Sequence, residues 1–335
     1  MTTESDKLSE KLSGKRSLAR AALDALLATA GADPARIRGY EPLPGGTYNT
    51  IYRAGLDDGT ALLLKLPPER GTPAMSYEHG LLHGEAVFYA AARDVGVPVP
   101  ELVHADPDGD FLVMTECPGT TWDQLTPAEQ GRLRRDLGGL VGRLHQVTGP
   151  RFGYPALPPP DGGRGGWRGA FLAMLDTVLA DARRFDAWLP EPPERVAALV
   201  GAAAPALDEV REPVLVHFDL WPGNILLHAD RISALIDGER MFWGDPLAEL
   251  TSLNLFGGSD DDAELLAGYR SAGGRADFDE AARLRMALYN CYLYLIMLVE
   301  VYPRGYPAEQ VARHRKLAGP ALTAALDVIA TTTGT

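Results

Sequence analysis

Apolar positions along this chain follow two different periods. In LARAALDALLATAG, residues 18–31, Ala and Leu recur at helical spacing and stop at a glycine, which predicts a helix. From Tyr40 the period shortens. In YEPLPGGTYNTIYRAGLDDGTALLLKLP two β-prone runs flank Asp57–Asp58–Gly59, a turn signal. The reading is strand, glycine-containing loop, strand, turn, strand, with Lys65 in the last strand. Residues 76–96 read as a helix with Glu85 in its middle, and PVPELVHADPDGDFLVMTECPG reads as two strands about the Asp106–Pro107–Asp108–Gly109 turn. The first part, to about residue 116, is therefore expected to be α+β with an antiparallel sheet.

From Thr120 onward the pattern is mainly helical, with one interruption. The stretch VLVHFDLWPGNILLHADRISALIDGERMFWGDP has short apolar runs broken by polar clusters, which predicts loops and small strands. Residues 155–166 are a Pro/Gly-rich excursion between helices. The run LYLIMLV at 293–299, between Asn290 and Glu300, is too short to span a bilayer and reads as part of a buried helix. The predicted division is a frayed polar tail at 1–16, a first lobe at 17–116 and a larger second lobe at 117–335.

Composition narrows the class. A chain of 335 residues, 46% hydrophobic and 23% charged, fits a folded protein of two lobes. The net charge of -13, from 45 acidic and 32 basic residues, argues against nucleic acid as a partner, because phosphate backbones call for clustered Lys and Arg. It is compatible with a cationic ligand, and equally with solubility alone. Cys117 and Cys291 lie far apart and form neither a disulfide framework nor a zinc pattern, so a reducing cytoplasm is the default compartment. The N-terminal residues lack the apolar core of a signal peptide, and no membrane association is expected.

The chemistry is concentrated in His217–Phe218–Asp219–Leu220–Trp221–Pro222–Gly223–Asn224, of the form H-x-D-x-x-x-x-N. Transfer of a γ-phosphoryl group needs a cradle for phosphates, a lysine on them, oxygen ligands for Mg²⁺ and a carboxylate beside the acceptor hydroxyl. The Asp of this loop can orient a hydroxyl, and the Asn amide oxygen can reach a metal. Asp237, in LIDGE after a further apolar stretch, adds a second oxygen ligand at a strand end. No G-x-x-x-x-G-K-[ST] is present, which excludes a P-loop enzyme.

The block HFDLWPGNILL…IDGERMFWGDPLAEL resembles the aminoglycoside phosphotransferase family, relatives of the protein kinases that include fructosamine kinases, with choline kinases as cousins. The likeness covers about residues 40–310 and includes GGTYNTIYR, the E-A-x-x-Y helix at Glu85, VPVPELV and LGGLVGRLHQVTGPRFGYP. It implies a protein-kinase-like two-lobed α+β fold with an antiparallel sheet lobe carrying one main helix and a larger, mostly helical lobe. It also implies ATP and Mg²⁺ as cofactors, Asp219 as the base or hydroxyl-orienting residue, and Asn224 and Asp237 on Mg²⁺. Lys65 would contact the α/β-phosphates and pair with Glu85. Gly45, Gly46, Thr47 and Asn49 would form the loop over the phosphates. The Thr115 carbonyl and Cys117 amide would meet the adenine edge, with Met114 behind it. Gly238 stands where the family more often has a bulky apolar residue, which predicts a looser strand end around Asp237.

Other residues have ordinary readings. His217 would brace its loop by hydrogen bonds. Asp245 in WGDP would bond backbone amides at a helix start. His79 and His83 are four apart, a chelating spacing without a third ligand, and His145 reads as a packed helix histidine. The acceptor is expected to be a small cationic molecule, met by Glu239 and by Glu300, which interrupts an apolar helix where an unpaired carboxylate would be expensive. Three functions compete: an aminoglycoside or amino-sugar kinase, a metabolic kinase acting on a ketosamine or choline-like amine, and a nucleotide-binding pseudokinase. A protein Ser/Thr kinase is disfavoured, because Asp237 to Pro246 is too short for an activation loop and no A-P-E follows.

Overall fold

The structure, a computed structural model, describes residues 15–44, 48–122, 127–158, 160–253, 255 and 262–335. An antiparallel five-stranded sheet forms the first lobe. Its strands are β1 (Ile37–Pro42), β2 (Thr50–Leu56), β3 (Ala61–Leu66), β4 (Leu102–Ala105) and β5 (Leu112–Thr115), in the spatial order β1-β2-β3-β5-β4. Helix α1 (Arg20–Thr29) covers one face, and α2 (Leu81–Asp94) belongs to the other.

The two-residue period of the strands sorts their side chains between two cores. Leu64 and Leu66 of β3 and Val113 of β5 join Leu23 and Leu27 of α1. Leu112 and Met114 join Phe88 and Tyr89 of α2 in the larger core. Lys65 lies between Leu64 and Leu66 in sequence, so it projects to the α2 side. The strand alternation alone delivers its ammonium to the face where Glu85 lies.

The larger lobe is helical, with α3 (Pro127–Leu144), α4 (Gly166–Arg184), α5 (Pro193–Ala203), α6 (Pro246–Leu253), α7 (Ala263–Ser271), α8 (Glu280–Val299) and α9 (Ala308–Thr333). A short strand, β6 (Thr120–Thr121), pairs with the hairpin β8 (Ile225–His228) and β9 (Arg231–Leu235). Strands β7 (Val214–Val216) and β10 (Phe242–Gly244) pair with each other, so the H-x-D-x4-N loop leaves β7 and enters β8, and Asp237 follows β9. The LYLIMLV run lies in α8, whose buried residues include Leu288, Cys291, Tyr292 and Leu295. Among the described residues no helix is long and apolar enough to cross a membrane.

Three local expectations change. Residues 1–14 of the predicted tail lie outside the described residues, but Arg16 is docked on β2. Its N–H donates to Thr50 Oγ1 at 2.8 Å, and its carbonyl accepts from the Tyr52 hydroxyl at 3.0 Å. The single helix expected at 76–96 is a 3-10 turn, Ser76–Glu78, followed by α2. The break is at Gly80, with φ +82° and a position where a Cβ would come within 2.6 Å of Ala156. His79 therefore lies before the break and His83 within α2, both exposed, so the regular i, i+4 spacing of one helix does not hold for them.

Candidate active site

Lys65 is 2% exposed, and its Nζ lies 2.7 Å from Glu85, 2.5 Å from Asp237 and 2.8 Å from Glu239. Burial alone would drive the lysine pKa down, but the three carboxylates outweigh it and hold the ammonium well above its ordinary range. Asp237 responds oppositely: burial would raise it, and Lys65 keeps it below the usual carboxylate value. Glu239 is pushed up to about 7 by burial against the pull of Lys65. Burial also raises Glu85.

Tyr89, four residues after Glu85 and so on the same helix face, links the cluster. Its hydroxyl donates to Glu85 Oε1 at 2.7 Å and accepts from the Asp237 N–H at 3.0 Å. Asp237 has φ +62°, a strained value for a non-glycine residue, and begins a 3-10 turn. Gly238 does not loosen this point. A Cβ there would come within 2.6 Å of the Phe88 ring at Cγ, so Phe88 already fills the space that a bulky residue would take. The absence of a side chain lets α2 and the Asp237 turn pack closely.

The H-x-D-x4-N loop is fixed from beneath. Glu249 of α6, fully buried, accepts the backbone N–H of His217 at 2.6 Å and of Phe218 at 3.1 Å, together with the Ser252 hydroxyl. These bonds stabilise Phe218 at φ +62°, which turns the chain so that Asp219 leaves the apolar layer. His217 braces the loop as expected. Burial lowers its pKa to about 4, so the ring is neutral; Nε2 donates to the Ile236 carbonyl at 2.9 Å and Nδ1 accepts from the Asp219 N–H at 3.2 Å. Asp219 is half-buried, and burial pushes its carboxyl up to about 7 against the opposing charge of Arg240. Asn224 Nδ2 donates to the Asp219 carbonyl at 2.9 Å and lies 3.3 Å from its carboxylate, which leaves Oδ1 as the amide's accepting side.

The donor set suits a hard divalent cation. Oxygens of Glu85, Asp237 and Glu239 lie within 4.8 Å of one another, and three carboxylates against one ammonium leave net negative charge. Asn49 points the same way: Nδ2 donates to Glu239 at 2.5 Å, while Oδ1 is buried with no partner.

The structure thus brings together Lys65, Glu85, Asn49, Asp237 and Glu239 in one cluster, and Asp219 with Asn224 in an adjoining one. Gly45, Gly46 and Thr47 lie outside the described residues. Met114 and Thr115 are on β5, where Lys65 pairs with Leu112, two positions before Met114, and half-buried Cys117 lies just beyond. Glu239 and Glu300 do not stand free for a cationic acceptor. Glu239 is taken up by Lys65 and Asn49. Glu300 lies 2.6 Å from Arg240 and 3.2 Å from Arg304, a buried array that explains how a carboxylate survives at the end of an apolar helix. Asp262, from the acidic run at 260–262, caps α7 by accepting from the Leu265 N–H, and Asp260 and Asp261 lie outside the described residues. Asp245 caps α6 through the Leu247 N–H and also accepts from Arg285 and Tyr289.

Sequence reasoning, which counts Tyr89 only within the E-A-x-x-Y helix and Glu249 only among the carboxylates of a cationic acceptor pocket, misses the bridge made by Tyr89, the bracing of the loop by Glu249 and the pairing of Glu300 with Arg240 and Arg304. The i, i+4 spacing of Glu85 and Tyr89 was the one available signal; the others are long-range partners.

Residues 39–289 match the profile of the phosphotransferase enzyme family. A protein of Synechocystis sp. named a probable ketoamine kinase is 28% identical over 288 residues, covering 82% of this chain and 88% of the relative. Among solved structures, a candidate fructosamine-3-kinase from Thermobifida fusca superposes with a TM-score of 0.65 at 22% identity, covering 92% of this chain and 100% of that one. An aminoglycoside phosphotransferase in complex with streptomycin and ATP gives 0.59 at 15% identity, covering 94% and 99%. At these identities the structural matches speak for the fold: a kinase-like architecture of a sheet lobe and a helical lobe.

Proposed function

The chain belongs to the phosphotransferase enzyme family, and from that premise we propose that it is an ATP-dependent kinase of ketoamines, phosphorylating a sugar hydroxyl of an amine-linked ketose. The observation that carries the kinase chemistry is the convergence on Lys65 of Glu85 and Asp237, 20 and 172 residues away in sequence. In this reading Lys65, held by Glu85, meets the nucleotide phosphates. Asp219 orients the acceptor hydroxyl and takes its proton as the oxygen attacks the γ-phosphorus. His217 and Glu249 hold the loop that aims Asp219. Asn224 and Asp237, with Glu239 beside them, would hold Mg²⁺, which would neutralise charge on the β- and γ-phosphates.

Support for the ketoamine class has two sources. Three relatives that match over most of their length, from Synechocystis, Enterococcus faecium and Staphylococcus aureus, are each named a probable ketoamine kinase. Two residues after Asp219 in the same loop, the Trp221 indole is 42% exposed and offers apolar surface suited to a sugar ring. A ketoamine still carries a basic amine, as expected of the acceptor, but Glu239 and Glu300 are not the groups that would meet it, because both are engaged by internal cations.

The test is ATP consumption with purified protein against two panels, ketoamines made from reducing sugars and primary amines, and aminoglycosides. ADP release and a phosphate-mass product with the first panel, both absent for Asp219→Ala, are expected. Turnover confined to the aminoglycosides would overturn the assignment.

A further inference from the structure

Between β3 and α2 the chain makes an excursion that starts on the sheet lobe, where Arg70 donates to Asp110 at 2.9 Å, and whose second half, residues 74–78, is attached to the helical lobe. The Ala74 carbonyl accepts from Arg184 of α4 at 2.6 Å. Ser76 donates twice to Asp181 of α4, from its N–H at 2.6 Å and its hydroxyl at 2.7 Å. Asp181 is 1% exposed, and Arg184 lies 2.8 Å from the same carboxylate. The Tyr77 ring stacks on Tyr154 at 5.6 Å and 16°. Glu78 accepts from Arg304 at 2.6 Å and from the Met75 N–H at 2.7 Å, and the Arg304 guanidinium also lies 5.3 Å from the ring centre of Tyr48, next to the glycine-containing loop.

We propose that residues 74–78 form a fixed strap by which the helical lobe holds α2, and through it the Lys65–Glu85 pair, with Asp181 as its anchoring positioning residue. The inference rests on the phosphotransferase reading of that pair. The strap joins the strand carrying Lys65 to the helix carrying Glu85, so anything that pins it constrains both. Glu85 stands only four residues inside α2, about 6 Å along the axis at 1.5 Å per residue, so the helix has little length in which to absorb a shift of its entry. A buried carboxylate with three donors is a costly group to retain, since its desolvation must be offset by those bonds. At Asp181 all of them serve the strap or the arginine that also holds it. With so short a chain between Asp237 and Pro246, nothing comparable to an activation loop is available to set α2, and the strap supplies a permanent substitute.

The experiment uses the full chain as wild type, Asp181→Asn, Ser76→Ala and, as a control on the same helix, Arg183→Gln, whose hydrogen-bond partner is the exposed Glu194 of α5. Amide hydrogen exchange is followed by mass spectrometry, and affinity for ADP with magnesium is measured by calorimetry. Expected is roughly tenfold faster exchange across residues 81–94 in Asp181→Asn, a smaller rise in Ser76→Ala, unchanged exchange in α8, and ADP affinity lowered roughly fivefold to tenfold. Arg183→Gln should match the wild type. A fall in melting temperature with exchange in α2 and ADP affinity both unchanged would make Asp181 a merely structural residue and overturn the proposal, as would loosening of α2 without loss of affinity. A wild-type chain that binds no ADP would instead sink the phosphotransferase reading, and exchange across α2 would still decide whether the strap holds that helix.

Discussion

Replacing Lys65 by Met keeps the length of the side chain and removes the cation among Glu85, Asp237 and Glu239. With oxygens within 4.8 Å of one another, each carboxylate pair would repel by roughly 3.5 kcal/mol at an effective dielectric of about 20. Glu239, already raised to about 7 beside Lys65, takes up a proton at little cost once the lysine is gone, so the repulsion that remains is chiefly between Glu85 and Asp237 and the loss is capped. The expected destabilisation is about 3–5 kcal/mol at pH 7, the range seen when one partner of a buried ion pair is removed. The sign of the pH dependence follows. In the variant at least one carboxylate has a folded-state pKa above its unfolded value, so stability from that group is complete below the unfolded pKa and lost as pH rises through the folded one. Glu239 is already raised to about 7 in the wild type and so titrates in both proteins; relative to wild type, the deficit should grow from pH 5 to pH 7 by about 1.4 kcal/mol per pH unit for each further carboxylate raised by the loss of Lys65, Asp237 first. Urea unfolding followed by circular dichroism at pH 5, 6 and 7, in EDTA, measures it. A loss below about 1 kcal/mol with the same pH slope as wild type would refute the view that this lysine neutralises the three carboxylates.

Three further outcomes are expected. Asp219→Ala should lower turnover by about 10²–10⁴ with an unchanged unfolding midpoint, read by ADP release once an acceptor is found; near-normal turnover would remove Asp219 from the chemistry. Gly238→Ala should destabilise by about 1–3 kcal/mol through overpacking against Phe88, and Phe88→Leu in the same chain should recover part of it; additive losses would show that the two do not collide. Tyr89→Phe leaves the Asp237 N–H and Glu85 Oε1 without their shared partner, at about 1–3 kcal/mol in stability together with weaker nucleotide binding, and unchanged values for both would exclude the bridging role.

Much of the candidate site is legible in the sequence alone. The two-residue alternation around Lys65 specifies which face it takes, because strand geometry is local. The H-x-D-x4-N spacing and the Asp after the next strand define loops by composition, and the loops form where expected. Helix α8 was readable as buried from its apolar run. Where the sequence misled, the cause was a partner it could not display. Gly238 read as slack, yet the Phe88 ring, 150 residues earlier, fills the space above it. Glu239 and Glu300 read as carboxylates awaiting a ligand, yet Lys65 and Asn49 satisfy one and Arg240 and Arg304 the other.

What the sequence by itself determined, then, is the set of chemical groups and the local element each rides on. Tertiary structure decided the pairing of polar and charged groups. Asn49 with Glu239, Lys65 with Asp237 and Glu78 with Arg304 are separated by 190, 172 and 226 residues. Periodicity reports which face of its own element a residue takes and carries no information about what another element brings to that face. Burial then makes the partner decisive, because a buried carboxylate beside an arginine or lysine is a satisfied ion, and the same carboxylate alone would be a binding site.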